Sequence, residues 1–237
     1  MTQPPWEPDE LGRTIAGVAR DLLAQQSLQD TLDRIVYHAI RVVEGCELSG
    51  ILAIQDGEVR SLAVTDDVVT TSDHLQGELR EGPCFDAARR IDEIYRLPDL
   101  AAEEHRWPRY VPRALDLGFR GMMSFLLYTD DTRENLGALN LYSTRTDAFT
   151  PRSEHAGWLL ASHAAVAFAG ARRQGQLHEA ISSRQDIGEA LGILMERYKV
   201  TRDQAFELLK KASQDRNIKL RELARTVADT GEAPHGR

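Results

Sequence analysis

Before about residue 150 the chain alternates apolar and polar residues in two separate pairs of segments, and beyond Pro151 it never does so again. That change of period constrains the fold most, because a period of two lies on a sheet and a period near 3.6 lines one helix face. The first pair is LSGILAIQ and EVRSLAVT, joined by Asp56-Gly57, which suits a type I′ hairpin turn. The second pair is RGMMSFLLYT (120–129) and LGALNLYS (136–143), with the polar DDTREN between them as a hairpin loop.

Helical periodicity brackets these strands. Leu11, Ile15, Val18, Leu22 and Leu23 mark a first helix. Ser27 caps a second, with Leu28, Leu32, Ile35, Val36, Ile40 and Val43 on one face. Residues 66–118 are mixed: polar loops, a short helix after Gly82-Pro83, a strand over Glu93–Leu97 and a helix near Pro108–Leu115. From Pro151 the chain reads as helix almost to its end. An Ala-rich stretch (153–173) packs on the sheet, and the polar RRQGQLHEAISSRQ holds the domain junction. An apolar stripe then resumes at Leu177, Ile181, Ile187, Leu191, Leu194 and Met195. It is either an intrachain core face or the seam of a parallel coiled coil with a second copy, and Gly170, Gly175 and Gly188 weaken the latter.

The expected fold class is therefore α+β: an antiparallel sheet flanked by helices, joined by a long helix to an all-α, three-helix C-terminal domain. The expected division is a loose N-terminus (1–8), a first domain (9–170), a helical linker (171–180), a second domain (181–231) and a short tail (232–237).

The net charge of −8 is unevenly spread. Residues 184–225 hold ten Lys/Arg against seven Asp/Glu. Within 210–225 six basic residues (Lys210, Lys211, Arg216, Lys219, Arg221, Arg225) face Asp215 and Glu222 alone. An acidic body with one basic block points to a separate polyanion-binding module, or to a solvated helix surface of mixed charge. No apolar run of about 18 residues marks a membrane helix. MTQPPWEPDE lacks the pattern of a secretory signal, so a cytoplasmic location with reduced thiols is expected.

Catalytic and metal signatures are missing. The seven histidines and two cysteines form no metal-ligand spacing, and no phosphate-loop, dinucleotide or nucleophile-elbow motif occurs. No enzyme activity and no metal are expected, and no cofactor can be named. Cys84, in EGPCFDA, opens a short helix. There a lowered thiol pKa would allow redox sensing or a place in a ligand pocket; the alternative is a small hydrophobe at a loop corner.

Residues 117–151, with Gly137, Leu139, Leu141, Phe149 and Thr150, resemble the final strands of a GAF domain. The resemblance spans about residues 10–170. It implies a six-stranded antiparallel sheet with a small-molecule pocket beneath its loops. The Asn-Lys…Phe…Asp-Glu series of cyclic-nucleotide-binding members is absent, which argues against that ligand.

In the tail, Thr201-x-x-Gln204 is a capping box backed by Ala205, Leu208, Leu209 and Ala212. A third helix carries Leu220, Leu223, Ala224 and Val227, and Thr230-Gly231 stops it. With Ile187, Ala190, Gly192, Ile193, Leu194, Met195, Phe206 and Asn217, this series resembles the ANTAR domain of transcription antitermination regulators. Leu191 stands where a Lys commonly precedes the Gly, and Ser213-Gln214 replaces a frequent Ala-Met. The resemblance implies a dimer that binds paired hairpins in nascent RNA and so prevents terminator formation. Lys210, Lys211, Arg216, Lys219 and Arg221 would contact phosphate, and Gln214 and Asn217 base edges. Tyr198 is expected in the packing between helices. A helix-turn-helix DNA-binding regulator, or a ligand-binding or protein-interaction module, fits the same three helices.

Overall fold

The computed structural model describes residues 8–55, 57–89, 95–129 and 134–232. The chain divides into two compact units, Met1–Arg172 and Arg173–Arg237.

The first unit is built on a five-stranded antiparallel sheet among the described residues. Its strands are β1 (Leu48–Gln55), β2 (Glu58–Val64), β3 (Tyr95–Leu97), β4 (Gly121–Thr129) and β5 (Glu134–Ser143), in the order β2-β1-β5-β4-β3. Both predicted hairpins are present, β1 with β2 and β4 with β5. Asp56 of the type I′ turn and residues 130–133 of the DDTREN loop lie outside the described residues, as do Glu93 and Ile94 of the predicted third strand. The helices are α1 (Pro8–Leu23), α2 (Leu28–Val42), α3 (Asp67–Leu79), α4 (Pro83–Arg89), α5 (Tyr110–Asp116) and the first part of α6 (Pro151–Tyr198). A 3₁₀ turn covers Leu100–Glu103.

The fold departs from expectation at two places. The family resemblance implies six strands, and five are found among the described residues. The polar stretch after β2, predicted as loop, forms helix α3, capped by the Asp66 side chain accepting from Val68 N–H and closed by Arg80 at φ 54°.

Alternation along the strands sends side chains to two cores. On one face Ile51, Met123, Phe125, Leu127, Leu139 and Leu141 meet α1, α2 and α6, through Ile15, Val18, Ile35, Val36, Leu160 and Ala164 among others. Ser27 caps α2 as predicted, its Oγ accepting from Asp30 N–H at 3.0 Å. Leu23, placed in the α1 stripe by periodicity, is 76% exposed at the last residue of that helix. On the other face Leu52, Met122 and Tyr142 meet α3, α4 and α5, through Val69, Cys84, Tyr110 and Val111. Gly137 in β5 explains part of the family pattern: at φ 134° a Cβ there would meet the Leu52 carbonyl oxygen at 2.3 Å.

The second unit contains the end of α6, α7 (Arg202–Arg216) and α8 (Leu220–Thr230). Ala190, Leu191, Leu194, Ala205, Leu209, Ala212, Leu223, Ala224 and Val227 form its core. The capping box at Thr201 and Gln204 is complete. Leu208, assigned to the buried face by spacing, is 43% exposed, and Tyr198, assigned to interhelix packing, is 47% exposed. Leu177 and Ile181 of the stripe are also exposed, while Leu191 and Leu194 are buried. The glycines do not interrupt α6, which is one 48-residue helix.

Candidate functional site

The corner between α7 and α8 gathers the basic residues. Asn217 ends α7 in the left-handed conformation, φ 52°, and donates its N–H to the Gln214 carbonyl at 3.1 Å. Asn tolerates that region better than most side chains, so a local backbone reason already accounts for Asn217. Ser213 Oγ donates to the Ile218 carbonyl at 2.6 Å and tightens the same corner. Lys219 is the N-cap of α8 without a side-chain cap bond, and its carbonyl accepts from Glu222 and Leu223 N–H.

All seven predicted contact residues, Lys210, Lys211, Gln214, Arg216, Asn217, Lys219 and Arg221, are exposed on this corner or the turn of helix beside it. Lys210, Lys211 and Gln214 lie three and four residues apart, on one side of α7. Cations in this last stretch of α7 also meet the negative end of its dipole, which favours them whatever binds. Some charges are already engaged: Lys210 Nζ is 3.7 Å from Glu207 Oε1, and Arg221 Nη1 pairs with Glu179 Oε1. Glu179, from α6, is invisible to sequence reasoning, since 42 residues separate it from Arg221 and no short-range pattern links them.

Cys84 sits elsewhere, in the first unit. It is fully buried in the second core, and burial pushes its thiol well above the ordinary range instead of lowering it. It lies in a polar layer that sequence reasoning missed. Asp73, Ser72, Gln76, Ser124, Asn140, Tyr110 and Tyr142 are all buried with it. Gln76 Oε1 accepts from Cys84 N–H at 2.9 Å, and the site is possible only with glycine at 82: at φ 123° a Cβ would meet Gln76 Oε1 at 2.4 Å. Ser124 Oγ donates to Asn140 Oδ1 at 2.8 Å, and the Ser72 and Tyr110 hydroxyls are 2.9 Å apart. Ser61 Oγ donates to Asp73 Oδ2 at 2.6 Å, and the Tyr142 hydroxyl to Asp73 Oδ1 at 3.3 Å. A cleft of about 640 Å³ opens nearby between α3 and the β1–β2 hairpin, lined by Val59, His74, Gly77, Arg80 and Phe85 among others.

Among the described residues no group of three or more His, Cys, Asp or Glu could hold a metal ion. No described helix is long and apolar enough to cross a membrane.

Comparison with known proteins agrees with this division. The GAF domain family model matches residues 25–169, and the ANTAR domain model matches residues 175–227. No curated protein matches the chain. Among solved structures, the GAF domain of the Acinetobacter phosphoenolpyruvate-protein phosphotransferase aligns with TM-score 0.53 at 17% identity, over 71% of this chain and 97% of that one. The GAF domain of a Coxiella burnetii phosphoenolpyruvate-protein phosphotransferase gives 0.55 at 18%, over 70% and 96%. The photosensory core module of a Stigmatella aurantiaca phytochrome gives 0.60 at 13%, over 90% of this chain but 46% of its own. At these identities the likeness is one of fold.

Proposed function

The chain belongs to the GAF-domain family and carries an ANTAR domain at its C-terminal end, and from that premise we propose that it is an RNA-binding antitermination regulator. A GAF-regulated ANTAR regulator combines a sensory domain with an effector domain. In this reading residues 9–170 sense a small molecule and 171–180 form a helical linker. Residues 181–231 bind paired hairpins in nascent RNA in the cytoplasm and keep a terminator from forming.

One observation carries the reading: the exposed basic corner between α7 and α8, held by a capped αL turn over its own apolar core. Lys210, Lys211, Arg216, Lys219 and Arg221 would set position on phosphates, and Gln214 and Asn217 would reach loop bases. Two copies joined along α6, where Leu177 and Ile181 are exposed, would present two such corners to two hairpins.

Hairpin binding by the full-length chain, with and without Lys219→Ala and Arg221→Ala, tests it. Both variants should bind more weakly while stability stays within about 0.5 kcal/mol of wild type. Log affinity should fall with log salt by roughly 0.7 per phosphate contacted on unpaired strands. Variants that bind like wild type would remove the corner from the reading, and equal competition by duplex DNA would replace RNA as the target. Light scattering should show a dimer with RNA bound; a monomer would remove the paired arrangement.

A further inference from the structure

Asp73 is an uncompensated carboxyl in the core. Its side chain has no exposed surface, and its two hydrogen bonds come from neutral hydroxyls, Ser61 on β2 and Tyr142 on β5. Among the described residues, the elements packed against it supply no cation. From α4 comes the Cys84 thiol and from α5 the Tyr110 phenol. From β4 come Ser124 and Met122, and from β1 Gly50 and Leu52, which face the same core. On α3 itself His74 and Glu78 are exposed, Arg60 on β2 is exposed, and Glu81 accepts from the N–H groups of Arg109 and Tyr110.

A carboxylate in such surroundings loses its hydration and gains two neutral hydrogen bonds in return. Neutralisation is the cheaper state. Burial accordingly raises the Asp73 pKa from the ordinary carboxyl range to about 7, and the Ser61 and Tyr142 hydroxyls offset only part of that rise. The layer is also poised to admit water. Gln76 Nε2 and Asn140 Nδ2 are buried with no hydrogen-bond partner among the described residues, so opening α3 would satisfy two donors that the closed state leaves bare.

We propose that Asp73 is a protonation switch on α3: neutral while the helix is closed on the sheet, and free to ionise when the helix lifts. This stands on the first unit alone and does not depend on what the C-terminal corner binds. The sign follows from linkage. The closed state holds a proton that the open state releases, so opening becomes easier as pH rises from the open-state pKa of ~3.9 toward the closed-state value, and levels off above it. Within that window the opening equilibrium rises about tenfold per pH unit.

Carbon-13 NMR of the Asp carboxyls and amide hydrogen exchange of α3, both on the full-length chain, test the switch between pH 5 and pH 8. One carboxyl, identified by its loss in Asp73→Asn, should titrate near neutrality. Exchange of the amides of residues 72–79, corrected for intrinsic rate, should speed up about tenfold per unit up to about pH 7 and then level. In Asp73→Asn it should be flat. Should that variant fail to fold, Ser61→Ala serves instead: loss of the shortest hydrogen bond to the carboxylate should move both the titration and the plateau to higher pH. An Asp73 carboxyl that titrates with the other aspartates at pH ~4 overturns the proposal. So does α3 exchange that ignores pH in the wild type.

Discussion

On one face of the sheet Ile51, Phe125, Leu139 and Leu141 meet three helices through a core of aliphatic and aromatic carbon. On the other, Ser124, Asn140 and Tyr142 meet Asp73, Gln76 and Cys84 in a layer of hydroxyls, amides and one carboxyl. The same two β-strands, β4 and β5, supply both faces through alternate residues. The first face gains mainly from burial, although the Ser49 hydroxyl, opposite Leu141, is buried there without a partner among the described residues. The second gives up part of that gain to bury polar groups, two of them unpaired, and acquires a titratable centre in exchange. A sheet can thus be a rigid platform on one side and a responsive one on the other.

The contrast can be broken most forcefully at Phe125. It is fully buried in the apolar core, and Phe125→Ala should cost about 3–5 kcal/mol by loss of contact and a residual cavity. Denaturant titrations at pH 5 and pH 8 should give the same loss, because the ring is buried in a cluster of apolar residues. A loss that depends on pH would mean the two faces are not independent.

Next in size is the pH dependence of the polar face. With a folded pKa near 7 and an ordinary unfolded value, Asp73 removes stability as pH rises from about 4 to 7, by up to about 4 kcal/mol. Asp73→Asn should flatten that slope in chemical denaturation. A smaller change is expected at Ser124→Ala, which strands the Asn140 Oδ1 acceptor in the core at a cost of about 1–3 kcal/mol. The smallest is Arg34→Ala, outside the apolar face. Its partner Asp21 also meets His38 at 2.7 Å, and such part-exposed pairs are worth about 0–1 kcal/mol. A loss above that would show that the α1–α2 contact relies on charge as well as on carbon.

Legibility in the sequence follows the same division. The two hairpins can be read because β1, β4 and β5 carry strong apolar residues that persist on their core-facing positions. The end of α6, α7 and α8 can be read from capping residues and a short apolar repeat. Helix α3 reads as loop because its inward face is Val69, Ser72, Asp73, Gln76 and Leu79. A buried face that is more than half polar leaves no apolar stripe to find. The property that hides the helix is the one that makes its face responsive. Cys84 stands out by its place at a helix start, but that local cue carries no information about its burial. At the basic corner the seven residues are exposed as spacing suggests, but the backbone duty of Asn217 becomes visible only with its φ.

The pair between Arg221 and Glu179 has a further consequence for whatever anion docks on the α7–α8 corner. Arg221 is not a vacant cation waiting for a phosphate; it already holds an internal one-for-one substitute. Docking there is an ion exchange, in which the carboxylate must be released to bulk water as the incoming oxygen arrives. The net attraction at that position is a difference between two contacts, so Arg221 adds to affinity, but less than an unpaired cation would. Both side chains of the pair are part-exposed, so the guanidinium can leave Glu179 at modest cost for an anion that contacts it at least as well. If a polyanion docks at this corner, Glu179→Gln should tighten its binding most for anions that compete poorly with the carboxylate, and so narrow the gap between good and poor ones.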